Sequence, residues 1–198
     1  MVNIQNLKTN HLIETRLNEF QELNKKEADE WFSELCFCIL TANSKAQNAI
    51  NIKNEIGSDG FKSYSQEKIT EIIRQNKHRF HNNKAKYIVT ARKFIDIKNI
   101  LRDFKTGPEA REFIAQNIKG LGFKEASHFL RNVGYCDVAI IDRHILKFMY
   151  ATKMIDRIPK VVTKKLYLEF EGILKEITSN LARLDLVIWQ HVTGKVLK

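Results

Sequence analysis

Apolar residues return every three or four positions along most of the chain, and no stretch alternates apolar with polar residues at the two-residue period of a strand. Leu12, Ile13, Leu17, Phe20 and Leu23 predict an amphipathic helix over about 10–24. From about 27 to 41 the apolar residues Trp31, Phe32, Leu35, Phe37, Ile39 and Leu40 surround the helix instead of striping it, which places this segment at the centre of a core. Thr41-Ala42-Asn43-Ser44 is a polar break that stops that helix and can cap the next, about 45–56. A turn at Gly57-Ser58-Asp59-Gly60 leads to a helix capped by Ser65 and running to about 75, with Ile69, Ile72 and Ile73 inward. Asn82 or Asn83 is expected to cap a helix to about 94, and Asp96 to start one reaching about 104.

Thr106-Gly107-Pro108-Glu109 reads as a capping box with proline in the first turn, opening a helix over 109–118. Gly120 and Gly122 then allow a tight turn into a second helix starting near Lys124, because glycine enters positive φ without steric cost. The product is a helix–hairpin–helix, whose second helix offers unpaired N–H groups and a positive dipole end to a phosphate. Lys124 stands at that helix start, and Asp142 opens the following helix, to about 150. Pro159 precedes a helix of about 163–177, and a last helix carries Leu181, Leu184, Leu186, Val187, Ile188 and Trp189 before Gly194 ends it. The fold class is all-α, with no internal repeat and no Pro/Gly-rich linker.

Composition sharpens this reading. A chain of 198 residues with 43% hydrophobic content can build one substantial core or two small lobes sharing a cleft. A formal net charge of +10 points to a polyanionic partner, nucleic acid being the commonest. The sequence has no apolar run of membrane-spanning length and no leader-like start, so a cytoplasmic location is expected. Cys36 and Cys38, on the helix placed at the centre of the core, read as small apolar residues, and with Cys136 they do not make a metal set. Between 77 and 92, Lys77, Arg79, Lys84, Lys86 and Arg92 accompany Phe80. That is either a phosphate-contacting surface with a base-stacking ring or a solvated charge run beside a core phenylalanine.

Gly120-Leu121-Gly122-Phe123-Lys124, followed by a loop and Asp142, resembles the helix–hairpin–helix DNA glycosylase superfamily. Within it, Lys124 through Tyr135 and then Ile140-Ile141-Asp142-Arg143-His144-Ile145-Leu146 resemble the archaeal-type (type 2) 8-oxoguanine DNA glycosylases, and the likeness covers nearly the whole chain. One departure is the lack of a proline between Val133 and Ile141, where many superfamily members carry one. The resemblance implies two lobes around a cleft: residues 1–26 with 150–198, and residues 27–149 containing the hairpin at 109–133. It implies that Lys124 is the nucleophile and Asp142 its partner. Asn43 matches the amide that fills the gap left by an extruded nucleotide, with a helix cap as the plain alternative. Phe80 matches the ring that stacks on the extruded base, Trp189 is the candidate for its other side or else a core residue, and Lys198 would bring its terminal carboxylate to the guanine edge unless the terminus simply frays. Gly120 and Gly122 would present amides to a phosphate, with a monovalent cation on the hairpin carbonyls, and Arg79, Lys84 and Arg143 would contact DNA. His128 and His144 flank the site without metal-ligand company.

Cleaving an N-glycosidic bond at C1′ builds positive charge on the sugar, and the base must first leave the stack. A neutral lysine amine can attack C1′, expel the base and leave a Schiff base, after which loss of a 2′ proton cuts the strand. Burial, a helix N-terminus and the neighbouring Lys119 and Arg143 are the features that would favour a neutral amine. An aspartate at a helix start is favoured as the carboxylate. The reading is a bifunctional 8-oxoguanine DNA glycosylase and AP lyase, monomeric, acting on double-stranded DNA, with no required cofactor and no membrane partner. Relatives such as endonuclease III carry four clustered C-terminal cysteines for an iron–sulfur cluster, and this chain has none of them. An oxidised-pyrimidine glycosylase of the endonuclease III type and a non-catalytic DNA-gripping module remain the two alternatives.

Overall fold

The computed structural model describes residues 11–44, 46–194 and 196, and every regular element within them is a helix. After α1 (His11–Lys25) comes α2 (Ala28–Thr41), in which every side chain from Trp31 to Thr41 is buried, as an all-round apolar sequence requires. Gathered about it are α3 (Ala46–Ser63), α4 (Gln66–Gln75), α5 (His81–Ala91), α6 (Ile97–Leu101), α7 (Gly107–Asn117) and α8 (Phe123–Asn132). Their common core runs from Trp31 to Val138.

The local signals mostly act as expected. Gly57, at φ 68° and ψ 171°, breaks α3 where a turn was expected. Ser65 caps α4 by accepting from Lys68 N–H at 3.2 Å. Thr106 and Glu109 form a reciprocal capping box at the start of α7, with Pro108 in its first turn. Two expectations need correction. The residue before α5 is Phe80, so Asn82 and Asn83 lie inside the helix and neither caps it. The helix after Asp96 ends at Leu101, short of 104.

A second core runs from Ala139 to Ile188 and is built from α9 (Arg143–Ala151), α10 (Lys164–Lys175) and α11 (Leu181–Thr193). α1 closes against α11 through Ile13, Phe20, Leu186 and Val187, so the first and last described helices pack together. Core packing changes over between Val138 and Ala139, earlier than residue 150. The reason is the apolar face of α9, whose Ile145, Leu146, Phe148 and Met149 join Leu181, Leu184 and Ile188.

Two buried ion pairs join the cores. Arg111 of α7 grips Glu171 of α10 with both terminal guanidinium nitrogens, and Arg131 of α8 pairs with Asp185 of α11. Each helix of the hairpin therefore sends an arginine into the second core. Burial pushes the Glu171 carboxyl up, but hydrogen bonds from Arg111 and Ala139 N–H outweigh it and hold the group below the ordinary carboxylate range. Removing one partner of such a pair strands a buried charge, at a cost of about 3–5 kcal/mol.

Candidate active site

The turn between α7 and α8 needs only one of its glycines. Gly120 has φ +91°, and a Cβ there would lie 2.6 Å from the Tyr87 ring, so both conformation and space exclude a side chain. Gly122 has φ −86° and ψ −171°, and a Cβ would meet only Glu125 Oε2 at 3.6 Å. Its backbone is ordinary extended chain, contrary to the expectation that both glycines serve the turn. Gly122 instead occupies the N-cap position of α8 and offers no side chain to its first N–H groups. Those donors stay open to an anion, with Lys124 in the first turn beside them. The Ile118 carbonyl accepts Leu121 N–H at 3.2 Å and keeps a second lone pair, the kind of oxygen a monovalent cation takes.

Asp142 is the N-cap of α9, where Oδ1 accepts from both His144 N–H (2.8 Å) and Ile145 N–H (2.9 Å). One oxygen serving two donors leaves Oδ2 for other work. The segment leading to Asp142 lacks proline, and hydrogen bonds hold it instead. Asp137 accepts Gly107 N–H at 2.8 Å, and the Cys136 carbonyl accepts Leu181 N–H at 2.8 Å. Glu171 accepts Ala139 N–H at 2.9 Å. The buried Tyr167 hydroxyl donates to Ala139 O (2.7 Å) and accepts Ile141 N–H (3.2 Å), so a single phenol spans the residues before Asp142.

Lys124 and Asp142 line one cleft of about 850 Å³, together with Asn43, Ser44, Lys77, Arg79, Glu125, Arg143 and Trp189. Four basic side chains, Lys77, Arg79, Lys124 and Arg143, outnumber the two carboxylates Glu125 and Asp142, which suits a phosphate-bearing ligand. Lys124 Nζ lies 3.6 Å from Glu125 Oε1. Trp189 is half-buried, not a full core residue, and meets His144 edge-on with ring centroids 4.7 Å apart. Its indole Nε1–H is buried with no acceptor among the described residues. An adjoining cavity of about 130 Å³ shares Lys124, Asp142 and Trp189 and reaches Arg131 and Asp185. Burial pushes the Asp185 carboxyl up, the Asp142 charge adds to this, and Arg131 opposes it.

Asn43 sits on the turn after α2 with φ +60°, exposed, and lines the cleft. Asn43 lies in the turn between α2 and α3, outside both helices. The turn hangs from a C-terminus of α2 whose last four carbonyls are all occupied. Cys38 O accepts Thr41 Oγ1–H (2.9 Å), Ile39 O accepts Lys84 Nζ–H (2.6 Å), Leu40 O accepts a ring N–H of His78 (2.9 Å), and Thr41 O accepts Ser44 N–H (3.1 Å).

Lys84 is thus a structural cation and not a surface phosphate contact. It is only 5% exposed. Burial lowers its ammonium to about 8, the Lys124 charge adds to the lowering, and Glu125 opposes it. Phe80 is 40% exposed, with the Arg79 guanidinium 5.2 Å over its ring, and it stands beside the cleft-lining Lys77 and Arg79 without lining the cleft itself. Arg143 is exposed on the cleft wall, where its Nε–H donates to His144 Nε2 at 3.3 Å. Lys198, expected in the base pocket, lies outside the described residues. His128 packs edge-on against Phe37. Cys36 and Cys38 are fully buried, Cys136 is exposed, and among the described residues no three His, Cys, Asp or Glu side chains gather as a metal site. Tyr167, Glu171 and His78 were missed from sequence because each acts on backbone far away along the chain.

Comparison with known proteins agrees with this geometry. The family model for 8-oxoguanine DNA glycosylase matches residues 13–183. The 8-oxoguanine DNA glycosylase/AP lyase of Methanocaldococcus jannaschii is 50% identical over 98% of this chain and 96% of its own length, and that of Korarchaeum cryptofilum is 39% identical over the whole chain. The crystal structure of the Methanocaldococcus jannaschii 8-oxoguanine glycosylase/lyase in complex with a 15mer DNA containing 8-oxoguanine superposes with a TM-score of 0.92 over 98% of this chain and 97% of that one. The 8-oxoguanine DNA glycosylase of Thermotoga maritima gives 0.87 at 40% identity, covering 94% of this chain and 91% of that one. A structure of an endonuclease III–DNA complex, at 15% identity and a TM-score of 0.61, shares the fold alone. With a family model spanning both cores and relatives matched end to end, this chain belongs to the 8-oxoguanine DNA glycosylase family.

Proposed function

We propose that the chain is a bifunctional DNA glycosylase and AP lyase that extrudes 8-oxoguanine from duplex DNA, removes it and then nicks the strand. The observation that carries this is the meeting of Lys124, in the first turn of the hairpin's second helix, and Asp142, capping α9, in one basic cleft walled by Trp189. The names of its relatives and the DNA complex of one of them supply the substrate class. Phosphates of the damaged strand bind at the open N–H groups of α8 and along Lys77, Arg79 and Arg143, while Asn43 enters the duplex from its turn as the base leaves. The extruded base lies between Trp189 and the Phe80 edge.

The chemistry then balances on two side chains. Lys124 Nζ, as the free amine, donates its lone pair to C1′. The C1′–N9 bond breaks, and the base leaves with that electron pair and takes up a proton. Asp142, with Oδ2 not used in capping, faces the positive charge that develops at C1′ and accepts the proton the amine sheds. Ring opening leaves a Schiff base on Lys124; removal of a 2′ proton then breaks the C3′–O bond by β-elimination. Lysine supplies the nucleophile, so the reaction needs no cofactor. Both residues come from one chain, so a monomer suffices.

The test compares duplexes carrying one 8-oxoguanine, one thymine glycol or only normal bases, with free base read by mass spectrometry and nicks by gel. Release of 8-oxoguanine with a coupled nick is expected. Release from the thymine glycol duplex alone would replace the substrate, and tight binding without release would leave only a DNA-gripping module.

A further inference from the structure

We propose that His78 is a positioning residue that ties the two edges of the cleft together, fixing the Phe80 backbone against the C-terminus of α2 and the Asn43 turn. The proposal rests on the reading of Phe80 as a wall for the extruded base. His78 is 3% exposed, and both of its ring nitrogens are engaged. Nε2 lies 2.9 Å from Leu40 O, and a carbonyl can only accept, so Nε2 carries the proton. Nδ1 then presents a lone pair, which accepts Phe80 N–H at 3.2 Å. The imidazole also packs edge-on against the Phe80 ring, with centroids 6.4 Å apart.

The bridge joins strained ends. Lys77, just before it, has φ +59°, and Asn43, beyond Leu40, has φ +60°. A left-handed Lys persists only where its surroundings hold it, and here the surroundings are the hydrogen bonds around His78. His78 N–H donates to Ile73 O at 3.2 Å, and His78 O lies 3.4 Å from His81 Nδ1, so the residue is held on its main chain as well as on its ring. The groups facing the imidazole are Arg79 on its own loop and His81 and Lys84 on α5, all basic. This surrounding and burial both favour the neutral ring that the bridge requires, since a second proton on Nδ1 would face the Phe80 N–H.

Two substitutions take the bridge apart one nitrogen at a time. In His78→Asn the amide oxygen can occupy the place of Nδ1 and accept Phe80 N–H as an ordinary Asx turn, while the bond to Leu40 is lost. His78→Gln reaches Leu40 O and gives up the acceptor for Phe80. Single-turnover excision is measured on an 8-oxoguanine duplex and cleavage on a duplex with a preformed abasic site, which has no base for Phe80 to hold, with melting temperatures alongside. His78→Gln should lower excision roughly 10-fold or more while abasic-site cleavage stays within about twofold, since a small misplacement of a positioning group costs of this order. His78→Asn cuts the tie at its α2 end and should also lower excision selectively, by less than His78→Gln because Phe80 N–H keeps its acceptor. Excision unchanged in His78→Gln, equal loss of both activities, or excision unchanged in His78→Asn would each overturn the bridge. Where the Gln protein fails to fold, the Asn prediction alone decides. Phe80→Ala separates the two claims. If it excises normally, the reading of Phe80 is wrong and the bridge has no catalytic purpose; if it is impaired while His78→Gln is not, only the bridge is wrong.

Discussion

Asp142 does two jobs, and two substitutions separate them. Its Oδ1 receives both the His144 and Ile145 N–H groups, at 2.8 and 2.9 Å, at the half-buried start of α9. Asp142→Ala strands both donors, and loss of an N-cap costs about 0.5–2 kcal/mol. At roughly 2–4 °C per kcal/mol for a chain of this size, the melting temperature should fall by about 1–8 °C. Asp142→Asn keeps an oxygen in the same place and loses only the charge at the helix N-terminus, about 0.3–1 kcal/mol, or at most about 4 °C. The order reverses for catalysis. If the carboxylate faces positive charge at C1′ and takes the amine's proton, its neutralisation should slow excision about 10²–10⁴-fold, roughly 3–5 kcal/mol of barrier. Single-turnover excision and calorimetric melting on the same preparations give both quantities. The reasoning fails if Asp142→Asn retains more than about a tenth of the activity, or if its activity falls only in step with its stability.

Other outcomes follow from particular contacts. Gly120→Ala should lose about 2–5 kcal/mol in thermal or denaturant unfolding, from a positive φ and a Cβ 2.6 Å from Tyr87, whereas Gly122→Ala should stay within about 1 kcal/mol. Tyr167→Phe leaves Ala139 O and Ile141 N–H without their partner, and should cost about 2 kcal/mol and slow excision through Asp142, with Lys124 still able to form a Schiff base at an abasic site. Lys84 has a folded-state pKa of about 8 against 10.5 for the unfolded chain, so the unfolded state binds more protons between those values and stability rises with pH across that window. Comparing unfolding of wild type and Lys84→Met from pH 7 to 10.5 should show a relative gain for wild type of up to about 3 kcal/mol, and a constant difference would contradict the assignment.

Local chemistry was readable in the sequence, and long-range partnership was not. The Thr106/Glu109 box, the Ser65 cap and the hairpin itself depend on residues within a few positions of one another, and they stand as expected. Gly120 and Gly122 look alike as letters, but only Gly120 has a positive φ, because the Tyr87 ring and the path into α8 are tertiary facts. Lys84 was misjudged by charge alone. Its spacing was the better signal, since Lys84, Ile88 and Ala91 fall on one face of α5 with Ala85, and all four are buried. The same spacing puts Arg111 beside Ala110 and Ile114 on the buried side of α7. No local signal points to Glu171 or Asp185 as the partners that meet Arg111 and Arg131, because each lies on a helix of the other core. The helix starts at Lys124 and Asp142 were legible for the same local reason, whereas the roles of the two side chains rest on the resemblance and not on position alone.

The central claim is that Lys124 forms the covalent bond to C1′. Sodium borohydride reduction during turnover of an 8-oxoguanine duplex should trap a protein–DNA complex, digestion should place the adduct on the peptide holding Lys124, and Lys124→Gln should bind the duplex but neither release base nor trap. A trapped adduct on another residue, or base release that persists in Lys124→Gln, would contradict the account.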